Sequence, residues 1–344
     1  MTLKPKMNIL LTGGTGYIGA HTTVSLIENG HTPILLDNFI NSSPLVAQRI
    51  GQITGVEPQV IEMDVLNTDG LTEVLREHDI SAVIHFAALK AVGESVAKPI
   101  EYYHNNVMGF LSVLDAMRRA DVFKIVLSSS ATVYGENAPL PYLETMPALS
   151  ANSPYGQSKV MMERIMQDAA TSDARWQHAT LRYFNPVGAH PSGLIGEHPN
   201  GIPNNLVPYM QQVAVGMRDK LSVFGDDYDT LDGTGARDYI HVMDLARGHV
   251  LALQRLLEHQ GSFTLNLGAG VPFTVLQLIH AFETASGQKI PYQISPRRAG
   301  DIASMYADAQ SAYKLLGFKT ELSIDDMCRD AWLWQSQNPH GYIP

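Results

Sequence analysis

A short apolar run, Met7 to Leu11, ends in Thr12-Gly13-Gly14-Thr15-Gly16-Tyr17-Ile18-Gly19. A strand that is apolar on both faces has to be covered on both, as in parallel sheets flanked by helices. Tyr17 to Asn29 then reads as a helix, apolar at Ile18, Val24 and Ile27 and stopped by Gly30. The alternation continues through strand Pro33–Leu36, strand Val60–Val65, strand Ala82–Ala88 and helix Tyr102–Arg119. After these come strand Lys124–Ser130, a helix from about Ser153 to Ala169 and strand Ala179–Phe184. Such alternation predicts a doubly wound parallel α/β sheet. Its right-handed crossovers bring the strand C-termini, and any ligand, to one edge.

Beyond Phe184 the texture changes. Asn185 to Asn205 is dense in proline and glycine, and a structureless loop of that length is usually functional or disordered. Helix Leu206–Gly216 follows, then an Asp/Gly-rich loop, Gly225–Gly235. Short strands (Phe263–Leu267, Ile290–Ile294) and helices near Thr274–Ala285, Ala307–Leu316 and Ser323–Gln335 complete the chain, with Ser323 and Asp326 as a capping pair. The expected organisation is a first domain over residues 1–184 and a smaller mixed α/β domain over 185–344. The strand-helix texture of Arg237–Leu256 predicts a return to the first domain near 237–260.

A net charge of −10 with no basic run argues against nucleic acid or an anionic membrane as partner. One cysteine, Cys328, excludes an intramolecular disulfide and suits a reducing cytoplasm. Gly13-Gly14 cuts the first apolar run below the length of a signal-peptide core, and no stretch reaches membrane-spanning length. Thirteen histidines show no metal-ligand spacing, so no metal is expected, and His85 reads as a satisfied strand residue. The absence of Gly-x-Ser-x-Gly leaves serine hydrolysis unsupported.

The Gly13-x-x-Gly16-x-x-Gly19 loop lies between strand and helix, the setting in which backbone N–H groups and a helix N-terminus hold a pyrophosphate. Asp37, eighteen residues past Gly19 at a strand end, is placed to accept from a ribose diol and repel a 2′-phosphate, favouring NAD over NADP. Asp64 stands where it can take an adenine amino group. Tyr155 and Lys159 are four apart, on one helix face. A free phenol near ~10 is a poor base at neutral pH. An ammonium and an oxidised nicotinamide both favour phenolate, so hydride and proton can leave one alcohol together. Ser130 ends the preceding strand and would share a hydrogen bond with the substrate hydroxyl. Lys90 either faces the cofactor or is an ordinary loop lysine. Arg237 and Arg298 offer forks for a diphosphate, or are surface arginines.

Together Thr12–Gly19, His85-Phe86-Ala87-Ala88-Leu89-Lys90-Ala91-Val92-Gly93-Glu94-Ser95, Ser128–Gly135, Tyr155–Lys159, Arg182–Gly193 and Gly235–Asp244 resemble the extended short-chain dehydrogenase/reductases. Within them, the resemblance is to members that epimerise nucleotide sugars at C4, and it runs from Met7 to Tyr342. It implies a Rossmann-type fold, tightly held NAD and interconversion of UDP-galactose and UDP-glucose through a 4-keto intermediate. Gly13, Gly16, Tyr17, Ile18 and Gly19 would hold the pyrophosphate; Asp37, Asn38, Asn41 and Ser42 the adenosine ribose; Asp64 and Val65 the adenine. Phe86, Ala87, Lys90, Asn105 and Phe184 would line the nicotinamide half, with Ser130, Tyr155 and Lys159 at the catalytic positions. Asn185, Asn205, Leu206, Phe224, Arg237, Arg298 and Asp301 would contact the UDP-sugar. A homodimer through the helices near Tyr102–Arg119 and Ser153–Ala169 is implied as well.

Three alternatives stand beside this one: a 4,6-dehydratase, a simple NAD-dependent dehydrogenase and a dinucleotide-sensing regulator without catalysis. A dehydratase would carry an Asp-Glu pair directly after the catalytic hydroxyl residue, where this chain has Ala131 and Thr132. The sequence does not separate the dehydrogenase. Retention of Ser130, Tyr155 and Lys159 speaks against the regulator. Two positions depart from the family pattern: Ala88 stands where glycine is common, and Met305 where relatives carry a tyrosine or a small residue beside the sugar's C2 substituent.

Overall fold

The first apolar run, Asn8–Thr12 (β1), is an inner strand of a seven-stranded sheet in the computed structural model of the chain, which describes residues 6–136, 138–148, 151–298 and 300–342. In chain order there follow α1 (Tyr17–Glu28), β2 (Thr32–Asp37), α2 (Leu45–Thr54), β3 (Gln59–Glu62), α3 (Thr68–Glu77) and β4 (Ile80–His85). Helices α4 (Val92–Ala97) and α5 (Pro99–Tyr103) lead through one π-helical turn, His104–Met108, into α6 (Gly109–Arg119). Then come β5 (Lys124–Ser130), α7 (Pro154–Ser172), β6 (Gln177–Tyr183), β7 (Asn185–Val187), α8 (Leu206–Ala214) and β8 (Leu221–Phe224). The remainder is β9 (Ala236–His241), α9 (Val242–Glu258), β10 (Phe263–Leu267), β11 (Pro272–Thr274), α10 (Val275–Ser286), β12 (Tyr292–Ser295), β13 (Ser304–Met305), α11 (Gln310–Leu316) and α12 (Ile324–Gln337).

The chain divides into two units. The first comprises Met1–Gly135, Ala148–Arg182 and Ala246–Leu265; the second comprises Glu136–Pro147, Tyr183–Leu245 and Asn266–Pro344. The large sheet runs β10-β6-β5-β4-β1-β2-β3, and its pairs from β3 through β5 are parallel. This is the expected doubly wound α/β order with one added strand. Ile9, Leu10 and Leu11 are fully buried, as two-sided cover demands. On one face Leu10, Val83, Ile125 and Leu127 pack with Phe110, Val113 and Met117 of α6 and Met162 and Met166 of α7. Truncating a ring as buried as Phe110 would cost about 3–5 kcal/mol.

The second unit holds a sheet β11-β9-β13 with β7 beside β9, and the two-stranded pair β12-β8. Its core gathers Val207 and Met210 of α8, Leu278 and Phe282 of α10, and Met327 and Ala331 of α12. The stretch from Asn185 does not begin as a loop: Asn185, Pro186 and Val187 pair in parallel with Tyr239, Ile240 and His241, because β9 leaves an edge for them. The Ser323–Asp326 capping box forms at α12. No helix among the described residues is long and apolar enough to cross a membrane.

Candidate active site

The glycine loop follows β1 directly. Gly13 has φ +69°, the left-handed region open to glycine, and its N–H donates to Leu36 O at 2.8 Å. A Cβ on Gly19 would lie 2.3 Å from Gly13 O, so only glycine lets α1 start this close to β1. The N-cap of α1 is Gly16, and no acidic side chain stands in the first turn to occupy its N–H groups. Tyr17 and Ile18 are the first helical residues. This is a cradle that fits a pyrophosphate.

Asp37 does more than close β2. Its Oδ2 accepts from Thr15 N at 3.1 Å, and its Oδ1 from Ser42 Oγ at 2.8 Å and Phe39 N at 3.0 Å. Those bonds tie the glycine loop to the segment after β2, a duty the sequence reading did not give it. Asn41 is exposed beside Ser42. Asn38 Nδ2 donates to Asp64 Oδ2 at 2.9 Å, which joins two residues expected at the adenosine end, and Val65 beside them is buried.

At the end of β4 the N–H groups of Phe86 and Ala87 both reach Thr12 O, at 2.9 and 3.0 Å. Lys90 Nζ lies 5.8 Å from the centre of the Tyr17 ring, so this lysine returns to the glycine loop. His85 is buried with Nδ1 2.7 Å from Thr12 Oγ1, while Nε2 has no protein partner. The histidine is therefore only half satisfied, and burial together with the Lys159 charge pushes its pKa down to about 3, leaving it neutral.

The π-helical turn carries a residue that the sequence reading missed. Asn106 is fully buried; it accepts from Leu89 N at 2.8 Å and donates to Leu89 O and to Ser158 Oγ, each at 3.0 Å. Ser158 in turn donates to Tyr155 O at 2.6 Å. Asn105 donates to Asn106 Oδ1 at 3.0 Å. One amide thus clamps the loop after β4 to α7, between Tyr155 and Lys159. Two adjacent asparagines inside a helical run, both poor helix formers, were the available signal.

Ser153 caps α7 by accepting from Gly156 N at 3.2 Å, and Pro154 opens the helix. Lys159 Nζ donates to Ser128 O at 2.8 Å. Ser130 Oγ accepts from Thr132 N at 3.3 Å and Thr132 Oγ1 at 3.1 Å. A hydroxyl has two lone pairs and one proton, so Ser130 has its O–H left over, and it favours the ionised form of the Tyr155 phenol.

The expectation that Lys159 lowers the phenol pKa is not met by the protein alone. Burial pushes Tyr155 above its ordinary value, with the Ser130 bond opposing, and burial brings Lys159 down to about 8. Desolvation disfavours both charged forms, and it outweighs the opposing help from Ser130 on Tyr155 and from Glu163 on Lys159.

In the second unit, Asn185 stands on β7 opposite Tyr239, and Phe184 is buried with its ring 6.2 Å from that of Tyr142. Asn205 precedes Leu206 at the start of α8 and donates to Glu197 Oε1 at 3.0 Å. Arg298 forks onto Asp301 at 2.8 and 3.2 Å and lies 4.7 Å from the Phe224 ring centre. Arg237 is held by the carbonyls of Ala236 and Ile302, both at 2.9 Å, with Asp301 at 3.7 Å. Arg237, Arg298, Asp301 and Phe224 therefore form one group. The two residues after Ser130 bring no carboxylate: Ala131 is buried and Thr132 is spent on Ser130.

A glycine-cradled dinucleotide site with a Ser-Tyr-Lys cluster at the same sheet edge defines an NAD-dependent oxidoreductive fold. The NAD dependent epimerase/dehydratase family model matches residues 9–268, and the chain belongs to that family. It is 53% identical over 336 residues to the UDP-glucose 4-epimerase of Yersinia pestis, covering 98% of this chain and 99% of that protein. Against the UDP-glucose 4-epimerase of Mus musculus the identity is 50% over 340 residues, covering 97% and 98%. The crystal structure of UDP-glucose 4-epimerase from Bifidobacterium longum in complex with NAD+ and UDP superposes with a TM-score of 0.94 at 51% identity, covering 97% of this chain and 100% of that one.

Proposed function

We propose that this chain epimerises UDP-hexoses at C4, interconverting UDP-galactose and UDP-glucose, with Tyr155 as the base and NAD as a transient hydride acceptor. The observation that carries it is the Ser130–Tyr155–Lys159 cluster in a chain so close to UDP-glucose 4-epimerases along its whole length. Gly13, Gly16, Tyr17, Ile18 and Gly19 would hold the NAD pyrophosphate, with Asp37 and Asp64 at the adenosine end. Bound NAD supplies a hydride acceptor and a positive charge. Tyr155 accepts the proton of the sugar's 4-hydroxyl, Ser130 shares a hydrogen bond with that hydroxyl, and the Lys159 ammonium offsets the phenolate. The 4-keto sugar then turns about its diphosphate link, so that the hydride would return to the opposite face of C4 while Tyr155 gives its proton back to O4.

Arg237 and Arg298 would grip the diphosphate, Phe224 the base, and Asn185, Asn205, Leu206 and Asp301 the rest of the nucleotide. Binding energy so far from C4 retains the intermediate while leaving the sugar free to turn. Net redox is zero, so NAD need not leave.

A homodimer is part of this proposal. Val96 and Ile100 are 63% and 80% exposed, and Val92, Met108, Leu111 and Met161 are exposed with them on α4 to α7. That apolar face suits a second copy of the chain. A cytoplasmic location fits the single buried thiol of Cys328. The deciding experiment is NMR of UDP-galactose incubated with the purified protein and no added cofactor. Formation of UDP-glucose supports the proposal; a product lacking water, or none without added NAD, overturns it.

A further inference from the structure

Three consecutive serines close β5, and each meets a different turn of α7. Ser130 favours the ionised form of Tyr155, Ser128 O accepts from Lys159 Nζ at 2.8 Å, and Ser129 Oγ donates to Glu163 Oε1 at 2.5 Å. Tyr155, Lys159 and Glu163 follow one another at intervals of four, so they share one helix face. The chemistry described above uses the first two and leaves Glu163 without a task.

Glu163 and Arg182 of β6 have side chains 3% and 5% exposed. They meet as a fork, Nε to Oε1 at 3.0 Å and Nη2 to Oε2 at 2.7 Å, and the guanidinium carbon sits 4.9 Å from the Tyr134 ring centre. A buried ion pair roughly breaks even against apolar residues of the same volume, so stability alone does not explain placing one here. What sets the place apart is the ammonium one turn away, whose own hydrogen-bond acceptor is a neutral carbonyl.

We propose that Glu163 is a positioning residue for the proton-transfer pair. Pinned by Ser129 and Arg182, it fixes the register of α7 on β5, and its carboxylate offsets the Lys159 ammonium in a dry setting. The proposal rests on the roles given to Tyr155 and Lys159 above.

The titratable groups around Lys159 make the carboxylate's part specific. On α7 they are Tyr155 and Glu163, and Tyr102 of α5 faces Tyr155. On β4 it is His85, neutral; on β6, Arg182 bonded to Glu163, and His178, which burial keeps neutral by pushing it to about 4. β5 contributes serine hydroxyls and carbonyls. Glu94 of α4 accepts from Tyr102 at 3.0 Å, one group further out; Glu163 is the anion that raises the proton affinity of Lys159, while burial lowers it.

Removing that anion should let Lys159 lose its proton at lower pH, so the alkaline limb of the rate profile moves down. The test measures UDP-galactose turnover against pH for the NAD-loaded wild type, Glu163→Gln, Glu163→Asp, and a double variant, Glu163→Gln with Arg182→Gln, which leaves no orphan guanidinium in the core. Glu163→Gln should lower kcat by about tenfold with KM nearly constant, and shift the alkaline limb down by about one pH unit. Glu163→Asp should restore the limb and part of kcat. The double variant should repeat the displaced limb, and it carries the test if Glu163→Gln does not fold. A folded Gln or double variant with the wild-type limb, even with a lower melting temperature, overturns the proposal alone. A wild type that does not interconvert the sugars overturns the underlying roles and this proposal with them.

Discussion

Lys159 Nζ donates to Ser128 O at 2.8 Å, so a fully buried ammonium is held by a neutral acceptor. The protein destabilises itself at this point for the sake of the site. With its pKa brought from 10.5 to about 8, the buried charge opposes folding by about 3 kcal/mol. The sign follows from the lowered value. Below pH 8 both folded and unfolded states carry the proton and the cost is complete; between 8 and 10.5 the folded state binds fewer protons, and the cost fades as pH rises. Lys159→Met should therefore be inactive yet at least as stable as the wild type at pH 7. Its melting-temperature advantage should shrink by pH 9; a clear loss of stability at pH 7 would show that the ammonium is well solvated.

Tyr155→Phe removes a hydroxyl and nothing else from the α7 face. The variant should retain fold and bound NAD while kcat falls by on the order of 10²–10⁴-fold. Circular dichroism and the absorbance of released cofactor check the first two. Near wild-type turnover would remove Tyr155 from the role of base.

The cofactor end is tested by what the protein releases. With Asp37 at the adenosine ribose as proposed, a 2′-phosphate would be repelled, so denaturing the purified protein should liberate NAD(H) without the extra phosphate. In Gly19→Ala the new methyl would fall 2.3 Å from Gly13 O, forcing the loop off β1. That variant should purify with little NAD and a lower melting temperature, whereas full occupancy would mean that the loop yields easily.

Much of this was legible because parallel strands and glycine turns leave local marks. β5 and β10 fall where the apolar runs of Lys124–Ser130 and Phe263–Leu267 placed them. Helices α2 and α3 carry weak local signals: Gly51 and Thr54 weaken the helical pattern in one, and Gly70 stands three residues past the Asn67 cap in the first turn of the other. The π-helical turn had no local signature, since Asn106 owes its burial to Leu89 and Ser158, which lie far away in sequence. Glu163 lay hidden for the opposite reason. A glutamate eight residues past Tyr155 reads as a solvated helix face until Arg182 arrives from β6 to cover it.

Met305 on β13 stands in parallel register with Arg237 of β9, half-buried beside the proposed diphosphate grip. Because β13 is only two residues long, the side chain is presented by a short strand whose backbone a truncation would leave paired. Methionine is long and pliable, so it fills space without the fixed wall of a ring. With the sugar placed as the family resemblance implies, an N-acetyl group at C2 adds three heavy atoms that would have to pass this side chain in both orientations. The wild type should therefore favour UDP-glucose and UDP-galactose over their N-acetylated counterparts, with incomplete discrimination. Met305→Ala or Met305→Gly should raise kcat/KM for UDP-N-acetylglucosamine relative to UDP-glucose by about 10-fold, the scale on which pocket methylenes discriminate. The activity on UDP-galactose should change far less, since Ser130, Tyr155 and Lys159 are untouched. Equal wild-type efficiencies on acetylated and plain sugars, unmoved by the truncation, would show that some other side chain sets the room at C2.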